Sequence, residues 1–376
     1  MKDLLELRDE IDEIDGRIVA LFEKRMAISE EVAEYKINTG KKVFDKDRER
    51  SKLEKLGALT HNDFNRHGVE ELFQQIMSMS RKKQYQLLAK NGVAGRLPFI
   101  AVDDIERENV RVVFQGVEGA YSHAAMCQYF GENVNSFHVK KWRDAMEAIA
   151  EGAADYAVLP IENSTAGVVA DNLDLLVDFE NYIVGEQVIK CEHVLMGLPG
   201  TQLSDIRSVV SHQQALSQCE AFLEEHRSWH QVPYDNTAMA AKKVAQDGDR
   251  TQAAIGSVFA AKRFGLEVLA DHIYDNEANS TRFIIVTNQR IFRKNAQKIS
   301  ICFELPHRSG SLYNILSHFI YNNLNMNRIE SRPITGRNWE YHFFVDFDGN
   351  LADSSVKNAL RGIREEAINL KILGNY

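Results

Sequence analysis

The chain has 376 residues, of which 44% are hydrophobic and 26% charged, and this length predicts two or three domains, each able to bury a core. A formal net charge of −9 argues against general nucleic-acid binding, and no apolar run approaches the roughly 18–20 residues of a membrane-spanning helix. Acidic residues near the start disfavour a secretory signal peptide, and four scattered cysteines without a C-x-x-C pair fit a reducing cytoplasm, with neither a disulfide framework nor a zinc site.

Residues 1–90 contain eighteen basic and eighteen acidic residues, so the whole net charge lies in residues 91–376 and suggests separate modules. Two heptad series run through residues 3–38: Leu4, Ile11, Ile18, Arg25 and Val32, and Leu7, Ile14, Leu21, Ile28 and Tyr35. This seam predicts one long helix, and helical patterns at 45–56 and 68–88 complete an all-α bundle. Three helices of such unequal length cannot cover the seam, so we expect a homodimer or a higher homo-oligomer.

Arg25 occupies a seam position that otherwise carries apolar side chains, and an unpaired buried guanidinium is costly. A carboxylate from a neighbouring helix could pair with it. However, Lys36 follows eleven residues later, about 20° from the same helical face, and two cations on one face favour an anionic ligand. Arg8 lies on another face about 25 Å away, so it could reach that ligand only from a second subunit.

This segment resembles the all-helical chorismate mutase family over essentially all of residues 1–90. The resemblance implies a domain-swapped helical dimer that binds the dianion chorismate and rearranges it to prephenate without a metal or cofactor. Lys36 and Gln84 would donate hydrogen bonds to the ether oxygen, Glu49 would meet the substrate hydroxyl, and Arg8 would come from the other chain. The implied binding residues are Arg8, Arg25, Lys36, Asp45, Arg48, Glu49, Ser80 and Gln84.

Residues 91–109 contain Asn-Gly, Gly95 and Pro98 and predict a linker, after which β-rich runs alternate with helices. Strands are expected at 110–114, 156–160, 182–189, 207–211, 253–256 and 283–287, and helices at 122–130, 142–151, 213–226 and 237–246. This alternation predicts an α/β domain at 110–287 with mostly parallel sheets, whose ligands lie at the carboxyl ends of strands.

Three polar motifs adjoin predicted strands in this domain: a glycine-rich turn at 116–123, Pro-Ile-Glu-Asn-Ser-Thr at 160–165, and Asn-Ser-Thr-Arg-Phe at 279–283. Each alone is common in strand–helix loops. His123 and His212 lack the spacing of a catalytic triad or metal site, so we interpret both as structural.

In this order the motifs resemble the prephenate dehydratase family, apart from Val117 and Ala120, where proline and serine are common. The resemblance implies two α/β lobes around a cleft, in which prephenate loses carbon dioxide and hydroxide to give phenylpyruvate. Thr281 would donate a proton to the leaving hydroxyl, and Arg282 would either bind a carboxylate or brace its loop. The implied prephenate-binding residues are Tyr121, Ser122, Glu162, Asn163, Ser164, Ser211, Gln218, Thr237, Thr281 and Arg282.

Residues 298–376 predict the order β-α-β-β-α-β of a ferredoxin-like fold. The Gly310–Tyr313 and Glu330–Pro333 motifs in this setting resemble an ACT regulatory domain, which implies phenylalanine bound at a dimer interface as a feedback inhibitor. Ser311 stands where alanine is common. The implied effector-binding residues are Gly310, Ser311, Leu312, Glu330, Ser331 and Arg332.

All three resemblances converge on one family, the bifunctional chorismate mutase–prephenate dehydratases with an ACT domain. The multidomain fold would then be an all-α bundle, a two-lobed α/β domain and an α+β domain. A dehydratase that also accepts arogenate, and an amino-acid sensor with decayed catalytic sites, are the alternatives. A nicotinamide dehydrogenase is disfavoured because no G-x-G-x-x-G follows a predicted strand.

Overall fold

The computed structural model describes residues 2–91 and 97–376. The chain divides into two compact units, each assembled from separate stretches of sequence. Unit 1 comprises Met1–Pro98 and Gln297–Lys371, and unit 2 comprises Phe99–Ala296 and Ile372–Tyr376. Within the described ranges, no helix has the length and apolar character needed to cross a membrane.

Three helices form the first part of unit 1, as predicted: α1 (Leu4–Thr39), α2 (Lys46–Gly57) and α3 (Asp63–Lys90). Helix α1 ends at Gly40, which adopts the left-handed conformation at φ 68° that glycine tolerates. The Asp45 carboxylate caps α2 by accepting from the Arg48 amide. Helix α3 begins five residues before its predicted start, because the Asn62 side chain accepts from the Asn65 amide and caps an earlier turn.

The apolar seam of α1 is largely exposed in the single chain. Ile11, Ile14 and Ile18 are each more than half exposed, whereas Ala33 near the other end of α1 is fully buried with Val43, Tyr85 and Leu88. The amino-terminal half of the helix therefore presents an exposed hydrophobic stripe along the predicted heptad positions.

Unit 2 contains thirteen strands and seven helices in alternation. Its strands are β1 (Ile100–Val102), β2 (Arg111–Gln115), β3 (Asn135–Val139), β4 (Tyr156–Asn163), β5 (Gly167–Val168), β6 (Tyr182–Lys190), β7 (His193–Gly197), β8 (Ser208–Ser211), β9 (His230–Pro233), β10 (Gln252–Ser257), β11 (Glu267–Ala270), β12 (Ser280–Thr287) and β13 (Ile291–Arg293). Its helices are α4 (Tyr121–Phe130), α5 (Trp142–Ala150), α6 (Ala170–Asp178), α7 (Gln213–Ser217), α8 (Glu220–Glu225), α9 (Thr237–Asp247) and α10 (Val258–Phe264).

Two sheets define two lobes of unit 2, with strand orders β6-β12-β4-β2-β3 and β11-β7-β10-β8-β9. The prediction of mostly parallel sheets is wrong. Strand β2 runs parallel to β3 and β4, but β12 is antiparallel to both its neighbours and β7 is antiparallel to β10 and β11. The antiparallel β12 links the Thr281 motif to the end of β4, since Thr281 pairs with Asn163.

Two local predictions for unit 2 need correction. The expected linker 91–109 contains β1, which pairs with β13, while its residues 92–96 lie outside the described ranges. The expected helix 213–226 is two helices, because the chain breaks at Cys219. There the Gln218 carbonyl accepts from the Asp275 amide, and the Asp275 carboxylate accepts from the first amides of α8, so a loop replaces the helical hydrogen bonds.

The carboxyl-terminal segment has the predicted element order. Its elements are β14 (Lys298–Glu304), α11 (Ser311–Tyr321), β15 (Met326–Pro333), β16 (Tyr341–Asp348), α12 (Ser354–Glu366) and β17 (Ile368–Asn375). The strands have the order β15-β16-β14-β17, and α12 packs against α3 within unit 1. The last residues of β17 belong to unit 2, where Gly374 pairs with Ile183.

Candidate functional sites

A cavity of about 990 Å³ lies in unit 1, between α1, the loop after it, α2 and α3. Seven of the eight residues predicted for chorismate line it: Arg25, Lys36, Asp45, Arg48, Glu49, Ser80 and Gln84. Arg8 does not line the cavity and is exposed near the start of α1. The prediction that one chain cannot bring Arg8 to Arg25 agrees with this geometry.

The lining of the cavity is strongly cationic, with eight basic against three acidic side chains. Burial lowers the pKa of Arg25, and burial followed by the charge of Arg48 lowers the pKa of Lys36. The Arg25 guanidinium donates to the Ile76 carbonyl at 3.3 Å, and Lys36 Nζ donates to the Val43 carbonyl at 2.7 Å. Crowded, partly desolvated cations of this kind favour an anionic ligand.

Neutral hydrogen-bonding groups lie on the α3 side of the cavity. Gln84 Nε2 donates to Ser80 Oγ at 3.3 Å, so these two residues share a helical face as predicted. Ser80 Oγ also lies 2.6 Å from Ser29 Oγ. Among the described residues, no group donates to the buried Gln84 Oε1. A buried amide without a full set of partners is expected where a polar ligand completes the site.

Arg81 also lines the cavity and is not among the residues predicted from the sequence. Its guanidinium donates to the Glu49 carboxylate and, at 2.7 Å, to the Glu366 carboxylate of α12. The Arg-Lys-Lys run at 81–83 resembles a solvated helical face, and the carboxylate partners of Arg81 lie 32 and 285 residues away along the chain. No local sequence pattern carries that information.

A second polar cluster lies in unit 2, where β4 and β6 end and the antiparallel β12 begins. Asn163 Nδ2 donates to Thr281 Oγ1 at 2.9 Å and to Asn279 Oδ1 at 2.9 Å. Thr281 Oγ1 also lies 3.2 Å from Cys191 Sγ, whose pKa is raised by burial. The side-chain oxygen Oδ1 of Asn163 accepts from the backbone amides of Thr165 and Ala166, and these bonds fix the orientation of the Asn163 side chain.

A chain of hydrogen bonds extends this cluster to the second lobe. The Tyr121 hydroxyl lies 3.1 Å from His193 Nδ1, and His193 Nε2 lies 3.0 Å from Gln218 Oε1. Gln218 Nε2 in turn donates to Thr165 Oγ1 at 3.1 Å. Burial lowers the pKa of His193, which favours a neutral imidazole at pH 7. His193 and Cys191 could not be assigned to this cluster from the sequence, because their partners Gln218 and Thr281 lie far along the chain.

Three predicted serines in unit 2 brace the backbone of the lobes. The hydroxyls of Ser122, Ser164 and Ser211 donate to the carbonyls of Gln115, Ala278 and Ile255. Thr237 is the first residue of α9, and the Asn236 side chain caps this helix. Because each serine hydroxyl donates its proton to a backbone carbonyl, it could contact a ligand only as an acceptor. Contact of these residues with prephenate stays a prediction.

Arg282 forms ion pairs with two carboxylates, Glu162 at 3.1 Å and Glu186 at 3.3 Å, and only 15% of its side chain is exposed. Of the two roles left open for Arg282, these pairs favour bracing of the loop. His123 and His212 also have structural contacts. His123 accepts from the Gly119 amide and stacks on Phe114, and His212 caps α7.

The residues predicted for the effector lie in two places of the carboxyl-terminal segment. Gly310 caps α11 with φ 77°, and Ser311 and Leu312 form its first turn. Glu330 and Arg332 alternate with the exposed Ser331 on β15, so they lie on the opposite face of the strand from Ser331. Within residues 2–91 and 97–376, no group of three or more His, Cys, Asp or Glu side chains is arranged as metal ligands would be.

Comparisons with known proteins match both the helical segment and the α/β domain. The family described as "Chorismate mutase type II" matches residues 7–85, and "Prephenate dehydratase" matches residues 112–291. The bifunctional chorismate mutase/prephenate dehydratase of Escherichia coli K12 is 33% identical, over 99% of this chain and 96% of that protein. Arogenate dehydratase 3 of Arabidopsis thaliana is 35% identical, over 71% of this chain and 67% of that protein.

Among solved structures, a prephenate dehydratase from Arthrobacter aurescens in complex with L-Phe aligns with a TM-score of 0.66 and 34% identity. The alignment covers 71% of this chain and 89% of that chain. The similarity to the Escherichia coli protein spans both the helical segment and the α/β domain of this chain. This chain therefore belongs to the bifunctional chorismate mutase/prephenate dehydratase family.

Proposed function

We propose that the chain rearranges chorismate to prephenate in the cavity of unit 1 and converts prephenate to phenylpyruvate in the cleft of unit 2. The observation that carries the proposal is the convergence of seven predicted side chains, from three helices and a loop, on one cationic cavity. Membership of the family supports both activities together.

At the first site, Arg25 and Arg48 bind the two carboxylates of chorismate, together with Lys36. The rearrangement is intramolecular, so the side chains need only select a compact conformer and stabilise charge at the breaking ether bond. Lys36 and Gln84 donate to the ether oxygen, and the Glu49 carboxylate accepts from the substrate hydroxyl. No nucleophile or cofactor takes part in this step.

At the second site, Thr281 donates a proton to the departing ring hydroxyl of prephenate. Its oxygen already accepts from Asn163, so its own proton is directed elsewhere. A neutral hydroxyl suffices because loss of carbon dioxide and formation of the aromatic ring drive the reaction. Gln218 and Tyr121 line the opposite side and orient the ring, with His193 holding both.

Two chains complete each chorismate site in this proposal. The exposed stripe on α1 becomes the dimer interface, and Arg8 of one subunit reaches the cavity of the other. Support comes from the seam exposure, with Ile11, Ile14 and Ile18 each more than half exposed, and from the position of Arg8 outside its own cavity. Larger assemblies of such dimers remain compatible with this arrangement.

The carboxyl-terminal segment is proposed to be a ferredoxin-like ACT domain that binds phenylalanine and inhibits the enzyme. Its β-α-β-β-α-β order and the positions of Gly310 and Glu330 support this assignment. The Arthrobacter aurescens dehydratase was solved in complex with L-Phe, which fits an effector of the same kind. A cytoplasmic location, expected from the scattered cysteines, stays a prediction.

A second candidate substrate is arogenate, the aminated analogue of prephenate. The 35% identity to a protein named arogenate dehydratase favours testing it. Arogenate differs from prephenate by an ammonium in place of the side-chain keto group, so the same Thr281 chemistry would serve both. Relative kcat/KM values on the two substrates decide between them.

The test of the proposed function is a time course with purified protein and chorismate alone, with and without phenylalanine. We expect chorismate to fall, prephenate to rise and decline, and phenylpyruvate to accumulate without added metal or nucleotide. Phenylalanine should suppress phenylpyruvate formation. Inert chorismate together with inert supplied prephenate would contradict the enzyme and favour a sensor with decayed sites.

A further inference from the structure

Arg81 of α3 connects the chorismate cavity to the carboxyl-terminal segment. It is 7% exposed and lies between Glu49 of α2 and Glu366 of α12. One terminal nitrogen donates to the Glu49 carboxylate, and the other donates to Glu366 at 2.7 Å. The guanidinium also lies over the Phe44 ring, 4.7 Å from its centroid. These contacts restrict the side chain on three sides.

The second carboxylate is itself held in place. Glu366 Oε1 lies 3.2 Å from His318 Nε2 of α11, and only 14% of the Glu366 side chain is exposed. Burial opposes the charge of Arg81, but the two carboxylates more than offset it and raise the pKa of Arg81. The guanidinium is thus a permanent cation with one carboxylate at each terminal nitrogen.

We propose that Arg81 is a positioning residue that holds Glu49 in place for the substrate, and that Glu366 supplies the fixed point for Arg81. The inference rests on the proposed mutase function, in which Glu49 accepts from the hydroxyl of chorismate. The carboxyl-terminal segment therefore contributes to the mutase site through Glu366, although Glu366 does not line the cavity.

The geometry explains why a guanidinium stands at this position. A carboxylate at the edge of a cationic cavity would otherwise be drawn towards Lys36, Arg48 or Arg25, and would then be lost to the substrate hydroxyl. A lysine has a single nitrogen and cannot engage two carboxylates in the planar fork that Arg81 provides. Misplacement of a binding group by about 1 Å is enough to slow a reaction about 100-fold.

The experiment uses the full-length chain with the substitutions Arg81→Met, Arg81→Lys and Glu366→Gln, each alone and combined with Glu49→Gln. Lys83→Met is the matched control, since Lys83 is on the same helix and forms a more exposed ion pair with Glu30 at 2.7 Å. Chorismate consumption gives mutase kcat and KM. Dehydration of supplied prephenate shows whether the dehydratase domain of each variant is still active.

We expect Arg81→Met and Glu366→Gln to lower mutase kcat/KM by roughly tenfold to a hundredfold, with Arg81→Lys intermediate, while dehydration of prephenate persists. In the Glu49→Gln background the same changes should have little further effect, because the group that they position is already altered. A loss that merely reflected destabilisation would be additive with Glu49→Gln. Lys83→Met should match the wild type.

Wild-type mutase kinetics in Glu366→Gln, or full additivity with Glu49→Gln, would overturn the inference. Glu366→Gln is the decisive variant, because it preserves shape and lies outside the cavity. If the wild-type chain does not consume chorismate, the proposed mutase function is wrong. If the wild type consumes chorismate and Arg81→Met and Glu366→Gln consume it equally well, only the inference about Arg81 is wrong.

Discussion

The side-chain amide of Asn163 donates a hydrogen bond of 2.9 Å to the hydroxyl oxygen of Thr281. Because Asn163 is itself held by the backbone amides of Thr165 and Ala166, it can present only its NH2 group to Thr281. The threonine oxygen is thereby an acceptor in this bond, so the Thr281 proton points away from Asn163. In the proposed dehydration, this pair would supply a proton from a neutral hydroxyl group.

Replacement of Thr281 by alanine should abolish phenylpyruvate formation, with a fall of about 100-fold to 10,000-fold in dehydratase kcat, the range for loss of a proton donor. Thr281→Ser should retain part of the activity. Chorismate consumption should persist in both, measured in the same preparation. The exposed Thr251→Ala is a control with wild-type activity. Loss of both activities in Thr281→Ala would contradict independent sites.

Gln84→Glu should make the mutase reaction dependent on pH. The wild-type amide donates at any pH, whereas a glutamate donates to the ether oxygen only when protonated. An ordinary glutamate has a pKa of about 4.3, so activity of the variant should rise towards acid and fall as pH increases through the pKa of the new carboxyl. Mutase rates measured from pH 4.5 to 8.5 test this. Gln86→Glu, two residues further along α3, is the control. Equal pH profiles would rule out donation by Gln84.

Mixing two inactive variants should restore mutase activity if each site uses both subunits. Arg8→Ala and Arg25→Ala should each be inactive as pure dimers. After unfolding and refolding together, a mixed dimer has one intact site and one doubly altered site, so random pairing predicts recovery of about a quarter of wild-type activity. Arg25→Ala should also retain dehydration of supplied prephenate. Absence of any recovery would contradict a site that is shared between chains.

Lys82→Met should stabilise unit 1, most at low pH. Burial lowers the pKa of Lys82 to about 7 although its Nζ donates to Ser317 Oγ at 3.0 Å and lies 3.7 Å from the Tyr321 ring centroid. Glu366 opposes the shift and Arg81 adds to it.

The unfolded chain holds the Lys82 proton up to a pH of about 10.4, so the cost of the buried lysine is full below pH 7 and declines as pH rises between these values. Urea unfolding of Lys82→Met and wild type at pH 6 and 9.5 measures this. We expect a gain of roughly 1–4 kcal/mol at pH 6 and a smaller one at pH 9.5. Lys83→Met, at a half-exposed position, should show no such trend. An increase in the free energy of unfolding of Lys82→Met that does not depend on pH would contradict the assignment.

Element types with strong periodicity could be predicted from the sequence. The six elements of the carboxyl-terminal segment have the predicted types and order, because each combines a clear period with a turn at its end. Short strands such as Asn135–Val139 were missed, since polar residues occupy most of an edge strand. The break at Cys219 was missed because its cause, Asp275, lies far along the chain.

The candidate sites divide in the same way. Side chains at helical spacing, such as Ser80 and Gln84, could be placed together from the sequence because one helix fixes their separation. His193 and Arg81 could not, since their partners come from elements that meet only in the folded chain. The role of Arg282 was open for the same reason, as Glu186 lies on a different strand.

Unit 1 closes a very long loop, because Arg81 and Glu366 are 285 residues apart and all of Phe99–Ala296 is inserted between its two parts. At a synthesis rate of about 5–20 residues per second, the helical segment leaves the ribosome roughly tens of seconds before α12 exists. Unit 2 likewise cannot be completed until the last strand has been synthesised, since Gly374 pairs with Ile183 in its sheet. A nascent chain that has been synthesised only as far as Glu365 therefore has neither unit complete, and premature termination there yields a product without Glu366 to hold Arg81 and without Gly374 to pair with β6.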